Sequence, residues 1–395
     1  MTPKSRTLLT AALALLTTLT ARLPAHAAPA SARAVARCVS SVPYVTGRGG
    51  YAAYRIPAVV KTRRGTLLAF AEGRRNGVGD TGDIDVVLRR STDGGCTWGP
   101  LTVVTAGHGD TRGNPAPVVD PRTGAVVLVT CANSGKATEE QIRRGAGERR
   151  VFVQRSRDDG RHFTPPQDIT AQVKRPGWGW YATGPGHAVA LTRGPHAGRL
   201  LVPANHSVAS PATSSRPGSR YDGGHALYSD DGGRTWRLGF VTRADDGVTN
   251  VNETTAAQLP DGRLYFNARD QYGTAPGNRL DTYSDDGGTT LVRPYAVQPT
   301  LDAVPVVQGS VLQLHGRKAP LLFSAPSVPT ARRALALWSS PDCGHTFTRL
   351  ITLSDRPAAY SDLVQLGPST VGVLFETGAA HSYDTVEFRR LAVPR

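Results

Sequence analysis

The sequence predicts an all-β fold, a six-bladed β-propeller, on three observations: one turn motif recurs five times, strand-like runs precede its copies, and the copies are spaced by about one blade. The motif, Ser-x-Asp-x-Gly-x-Thr-Trp, stands in full at residues 91–98 and 229–236 and in variant form at 156–163, 284–291 and 340–347. Its aspartate can accept backbone N–H groups, its glycine supplies positive φ, and its last aromatic returns to the core, so each copy reads as a hairpin turn. The runs at 85–90, 151–155 and 334–338 are β-rich or alternate apolar with polar residues. Copies begin 65, 73, 55 and 56 residues apart, enough for four strands and their loops. Residues left over at both ends leave a sixth blade without the motif, closed by an N-terminal strand.

At the start of the chain, Lys4 and Arg6 precede an apolar stretch at 8–19, and Ala25-His26-Ala27 fits the small-residue rule for cleavage. Residues 1–27 therefore read as a secretory signal peptide, too short to span a bilayer, and a secreted protein is expected. Residues 28–42 read as an N-terminal extension and 43–395 as one propeller domain, because no linker divides them. The Pro- and Ser-rich stretch at 210–219 has the length of a surface loop. No later segment could cross a membrane.

The formal charge of +15 falls to +12 once Lys4, Arg6 and Arg22 are removed with the signal segment, which leaves an anionic partner plausible. Nucleic acid is not that partner: the basic residues are scattered, without runs or interleaved aromatics that could track a phosphate backbone. Cys38, Cys96, Cys131 and Cys343 lack the spacing of a metal site, so no metal is expected, and three full disulfide pairings stay open.

The five motifs are Asp boxes, and from about residue 50 to 388 the chain resembles the sialidase family. Tyr54-Arg55-Ile56-Pro57, about 35 residues before the first box, is similar to the family element whose arginine is the first of three that clamp the substrate carboxylate. Arg269 and Arg332 match the second and third, with Arg333 an open alternative to Arg332. Glu376 matches the glutamate that orients the first arginine. Three guanidiniums on one carboxylate give charge-assisted hydrogen bonds of about 1.5–3 kcal/mol each.

The resemblance implies an exo-α-sialidase, a retaining glycoside hydrolase acting on sialylated glycans, with no cofactor and as a monomer. Sialic acid carries a carboxylate on its anomeric carbon, which would repel a carboxylate nucleophile, whereas a neutral phenol can approach and lose its proton to a neighbouring base. Tyr360 resembles the family nucleophile and Glu253 its base. Asp80, on a Gly-rich loop, resembles the acid/base aspartate, with Asp83 and Asp85 as rivals, and loop closure would raise its pKa. Arg74 and Asn114 match positions that line the hydroxyl and N-acetyl pockets. Trp178, Trp180 and Tyr181 form either an aglycone wall or a loop interior, and His187 reads as a loop histidine. His162 and Leu291 depart from the box pattern, which predicts weaker turns there. The same residues would serve a trans-sialidase; a non-catalytic sialoglycan-binding propeller is the alternative from another class.

Overall fold

A computed structural model describes residues 38–208, 221–242, 247–316 and 319–394. The signal peptide expected at 1–27, most of the extension expected at 28–42 and the loop expected at 210–219 lie outside the described residues.

The fold is all-β, built from four largely antiparallel sheets. One sheet begins with the strands Ala53–Lys61, Leu67–Arg74 and Ile84–Ser91, with Thr102–Thr105 on their outer edge, and continues with Thr111–Val119, Val126–Asn133, Arg149–Ser156 and Gln167–Asp168. The two halves meet through a single parallel pairing, Ile84 with Thr111. A second sheet runs Trp178–Thr183, Leu200–Val208, Tyr221–Ser229 and Arg237–Val241, with Val189–Ala190 on its edge; a third runs Val251–Gln258, Leu264–Asp270, Arg279–Ser284 and Ala296–Val297.

The last sheet is seven-stranded, and its central strand Thr348–Gly367 serves two groups. Its residues up to Pro357 pair with Ala331–Ser340, and those from Ala358 onward pair with Thr370–Thr377. Thr370–Thr377 pairs in turn with Thr385–Ala392, which takes the N-terminal strand Ser40–Val45 on its other side. Regular structure thus starts three residues inside the segment read from sequence as an extension. Cys38 forms a disulfide with Cys96 in the first turn motif, leaving Cys131 and Cys343 free.

Period-two burial explains the packing. In Leu67–Arg74 every residue is buried. Leu68 and Phe70 face a cluster with Val126 and Leu128, while Leu67, Ala69 and Ala71 face one with Leu374 and Phe388. A strand covered on both sides reads as a continuous apolar run.

All five turn motifs share one geometry. In the first, Ser91 Oγ donates to Asp93 Oδ1 at 2.7 Å and accepts from Gly95 N at 2.8 Å, while the N–H groups of Cys96 and Thr97 donate to the same carboxylate. Both variant turns keep this geometry. His162 Nδ1 bonds Asp158 at 2.5 Å where a threonine hydroxyl stands elsewhere, and Leu291 packs against the core. These turns lie far from the candidate catalytic residues. Leu67 pairs with Lys61 and Ser91 at one sheet end, whereas Arg74 pairs with Ala53 and Ile84 at the other, roughly 25 Å away for strands of this length.

Candidate active site

A solvent-open cavity lined by Arg55, Arg74, Asp80, Asn114, Glu253, Arg269, Arg332 and Tyr360 gathers eight of the nine residues singled out from sequence. The ninth, Glu376, is fully buried behind it.

Local irregularity aims these side chains. The pairing registers slip between Arg55 and Ala58, Gly113 and Ala116, Val251 and Thr254, and Ala358 and Ser361. Arg55, Asn114, Glu253 and Tyr360 therefore sit at or within β-bulges, which break the alternation of a flat strand and redirect a side chain. Ile56 at φ 58° and Asn114 at φ 51° mark two of these positions; for a β-branched residue such as Ile56 that conformation is strained.

Glu376 organises one wall. It accepts from Arg55 Nε at 3.1 Å and Nη2 at 3.3 Å, from Ile56 N at 2.9 Å and from Tyr360 N at 3.1 Å. Burial disfavours the Arg55 charge, but Glu376 first, then Tyr360, Tyr383 and Asp80, together outweigh it and hold the guanidinium protonated.

The Tyr360 hydroxyl donates to Glu253 Oε1. Arg269 Nη1 donates to Glu253 Oε2 at 2.9 Å and to the Tyr360 oxygen at 3.4 Å. Burial first, then the Glu253 charge, raises the phenol well above its usual range, while Arg269, Arg55 and Arg332 pull the other way. The hydroxyl is thus neutral, with an acceptor in place for its proton.

Arg332 and Arg333 point to different surroundings. Arg332 reaches the cavity, donating to Tyr383 Oη at 3.3 Å and Val306 O at 3.2 Å, with its guanidinium 5.8 Å from the Tyr360 ring centre. Arg333 is exposed and donates to Asp355 O. Every other cavity arginine meets a carboxylate: Arg55 with Glu376, Arg74 with Glu72 and Asp80, Arg143 with Glu139 and Asp222, Arg269 with Glu253. Among the described residues the partners of Arg332 are uncharged.

Asp80 faces the cavity from the loop between Leu67–Arg74 and Ile84–Ser91, with 48 % of its side chain exposed and 2.8 Å from Arg74 Nη2. Asp83 and Asp85 are instead occupied by Arg75. Burial raises the Asp80 pKa, but Arg74 and Arg55 together hold it below the usual carboxylate range.

Sequence reasoning missed several lining residues. Glu72 accepts from Arg74 and from Asn114 N at 2.8 Å. Gly113 is required beside it, because a Cβ there would lie 2.2 Å from the Glu72 carboxylate. Buried behind the lining, Arg149 donates to Asn114 Oδ1 at 2.5 Å and lies 3.7 Å over Trp180. Asn205, 1 % exposed, lines the cavity with neither amide atom bonded. Glu139 and Arg143 come from a short helix whose Thr138–Gln141 capping box was readable in sequence. Of the three aromatics weighed as a wall, Trp180 lines the cavity, while Trp178 stacks on His206 and Tyr181 is buried.

Comparison with known proteins identifies the family. A BNR repeat-like domain matches residues 65–373. An exo-alpha-sialidase of Aspergillus fumigatus is 30 % identical, covering 86 % of this chain and 84 % of its own. A sialidase of Micromonospora viridifaciens is 32 % identical over 86 % of this chain, which spans 52 % of that protein. A solved Hadza microbial sialidase superposes with a TM-score of 0.75 at 27 % identity, covering 87 % of this chain and 66 % of its own. With its arginines and its tyrosine–glutamate pair converging on one cavity, the chain belongs to the sialidase family of glycoside hydrolases.

Proposed function

We propose that this protein is a secreted exo-α-sialidase that hydrolyses terminal sialic acid from glycans with retention of configuration, on a six-bladed propeller. The observation that carries the reading is the charge pattern: three arginines surround one hydroxyl–carboxylate pair, and one of them, Arg332, has only uncharged partners among the described residues. A single substrate carboxylate completes that pattern. Grouping of the strands into successive four-stranded units supports the propeller, and the Cys38–Cys96 disulfide is compatible with export.

In this mechanism Arg55, Arg269 and Arg332 seat the sialyl carboxylate. The Tyr360 oxygen attacks the anomeric carbon as its proton passes to Glu253, and the bond to the leaving oxygen breaks as Asp80 supplies that oxygen with a proton. Water, deprotonated by Asp80, then attacks the anomeric carbon, and Glu253 returns the proton to the departing phenol. Substrate solves the problem of the low Asp80 pKa: its carboxylate offsets the Arg55 charge and its ring covers the exposed half of Asp80, and both effects favour the protonated acid.

Proton NMR of the products tests this. Incubation with 3′-sialyllactose should release sialic acid first as the α-anomer; initial β-anomer, or no release, contradicts it.

A further inference from the structure

One exposed aromatic side chain stands at the cavity rim. Tyr272 is 68 % exposed, lines the cavity, and is the one aromatic among the large apolar residues exposed on the described surface. Its backbone sits at φ 66°, a conformation that bulky side chains avoid. Gly273 follows immediately and could adopt that φ freely, yet the turn places it on the tyrosine. Gly273 serves another need, because a Cβ there would lie 2.4 Å from the Asp270 carboxylate.

The segment carrying Tyr272 is tied down on both sides. Gln271 N donates to Asn250 O at 2.9 Å, Thr274 N to Gly247 O at 3.2 Å and Ala275 N to Val248 O at 2.9 Å. An exposed ring on a strained but braced turn is a preorganised contact surface. Tyr272 follows Arg269 by three residues, and both line the same cavity.

We propose that Tyr272 is a stacking platform for the neutral pyranose ring on the leaving side of the scissile bond. This rests on the sialidase reading. There the carboxylate and the leaving oxygen share the anomeric carbon, so a ring on the solvent side of a carboxylate-binding arginine meets the sugar that departs. A pyranose offers an apolar C–H face, which an aromatic ring covers without a charged partner. The cavity interior, lined by charged and amide groups, takes the acidic sugar.

The test compares kcat/KM for 3′-sialyllactose with that for sialyl fluoride, whose leaving group is too small to reach the rim. Tyr272→Asn, which tolerates left-handed φ, should lower the sialyllactose-to-fluoride ratio about 3- to 10-fold, and Tyr272→Phe should preserve it. An unchanged ratio in Tyr272→Asn, or an equal fall in Tyr272→Phe, overturns stacking. Wild-type inactivity on both substrates would instead sink the sialidase reading and the platform with it.

Discussion

At the scale of single residues, buried charge decides the outcome. Glu376 is fully buried and bonded to Arg55, so Glu376→Gln leaves a largely buried guanidinium without its buried carboxylate partner. Breaking such a pair costs about 3–5 kcal/mol; urea unfolding should show that loss, with a raised KM for sialosides. Asp80 makes a different prediction, because its proposed task depends on the leaving group. Asp80→Ala should lower kcat/KM for sialyllactose about 10²- to 10⁴-fold and affect sialyl fluoride far less, since fluoride departs unprotonated. Equal losses on both substrates would assign Asp80 to binding. The residues legible in sequence were those set in a recognisable local pattern, such as Arg55 in Tyr-Arg-Ile-Pro. Asn205 lies on a strand whose composition gives no sign that it faces a cavity. The Arg55–Glu376 pair spans 321 residues of sequence, and only a resemblance could join them in advance.

At the scale of elements, the turn motifs and the bulges divide the labour. Turns stabilise the far ends of the sheets, and bulges aim side chains at the near ends. Removing a turn carboxylate, as in Asp231→Ala, should lower Tm while kcat/KM stays within about twofold. Burial acts to raise Asp93 and Asp231, but N–H and hydroxyl donors outweigh it and hold each at about 2. Groups depressed in this way contribute stability above their unfolded value of 3.8, and that stability is lost as pH falls from there toward 2. A urea midpoint that did not fall between pH 4 and pH 2 would contradict this. The turns were legible because five copies repeat one pattern. The bulges were not, because a slip in register is a property of two paired strands and leaves no mark on the composition of either.

At the scale of the whole molecule, distant strands converge on buried carboxylates. Asp362 accepts from His187 Nδ1 at 2.7 Å and from the N–H of His187, Val59 and Leu363, and it also accepts from Ser310 Oγ. One side chain thereby joins segments from three sheets, and the histidine read as an ordinary loop residue is part of that junction. Burial opposes the His187 charge, but Asp362 outweighs it and raises the pKa above 6.5. The pair's stabilisation is therefore complete below pH 6.5 and is lost as pH rises through the higher folded value. His187→Gln should flatten that decline in Tm. Sheet content and strand spacing were legible in sequence, whereas the meeting of separate sheets at Asp362 was not, because nothing local encodes it. The central claim, that Tyr360 attacks the anomeric carbon, is tested most directly by treating the enzyme with 2,3-difluorosialic acid and mapping the label by mass spectrometry. A single adduct on the Tyr360 oxygen, absent from Tyr360→Phe, is the predicted result; a label on Glu253 or Asp80, or near-normal turnover by Tyr360→Phe, would contradict it.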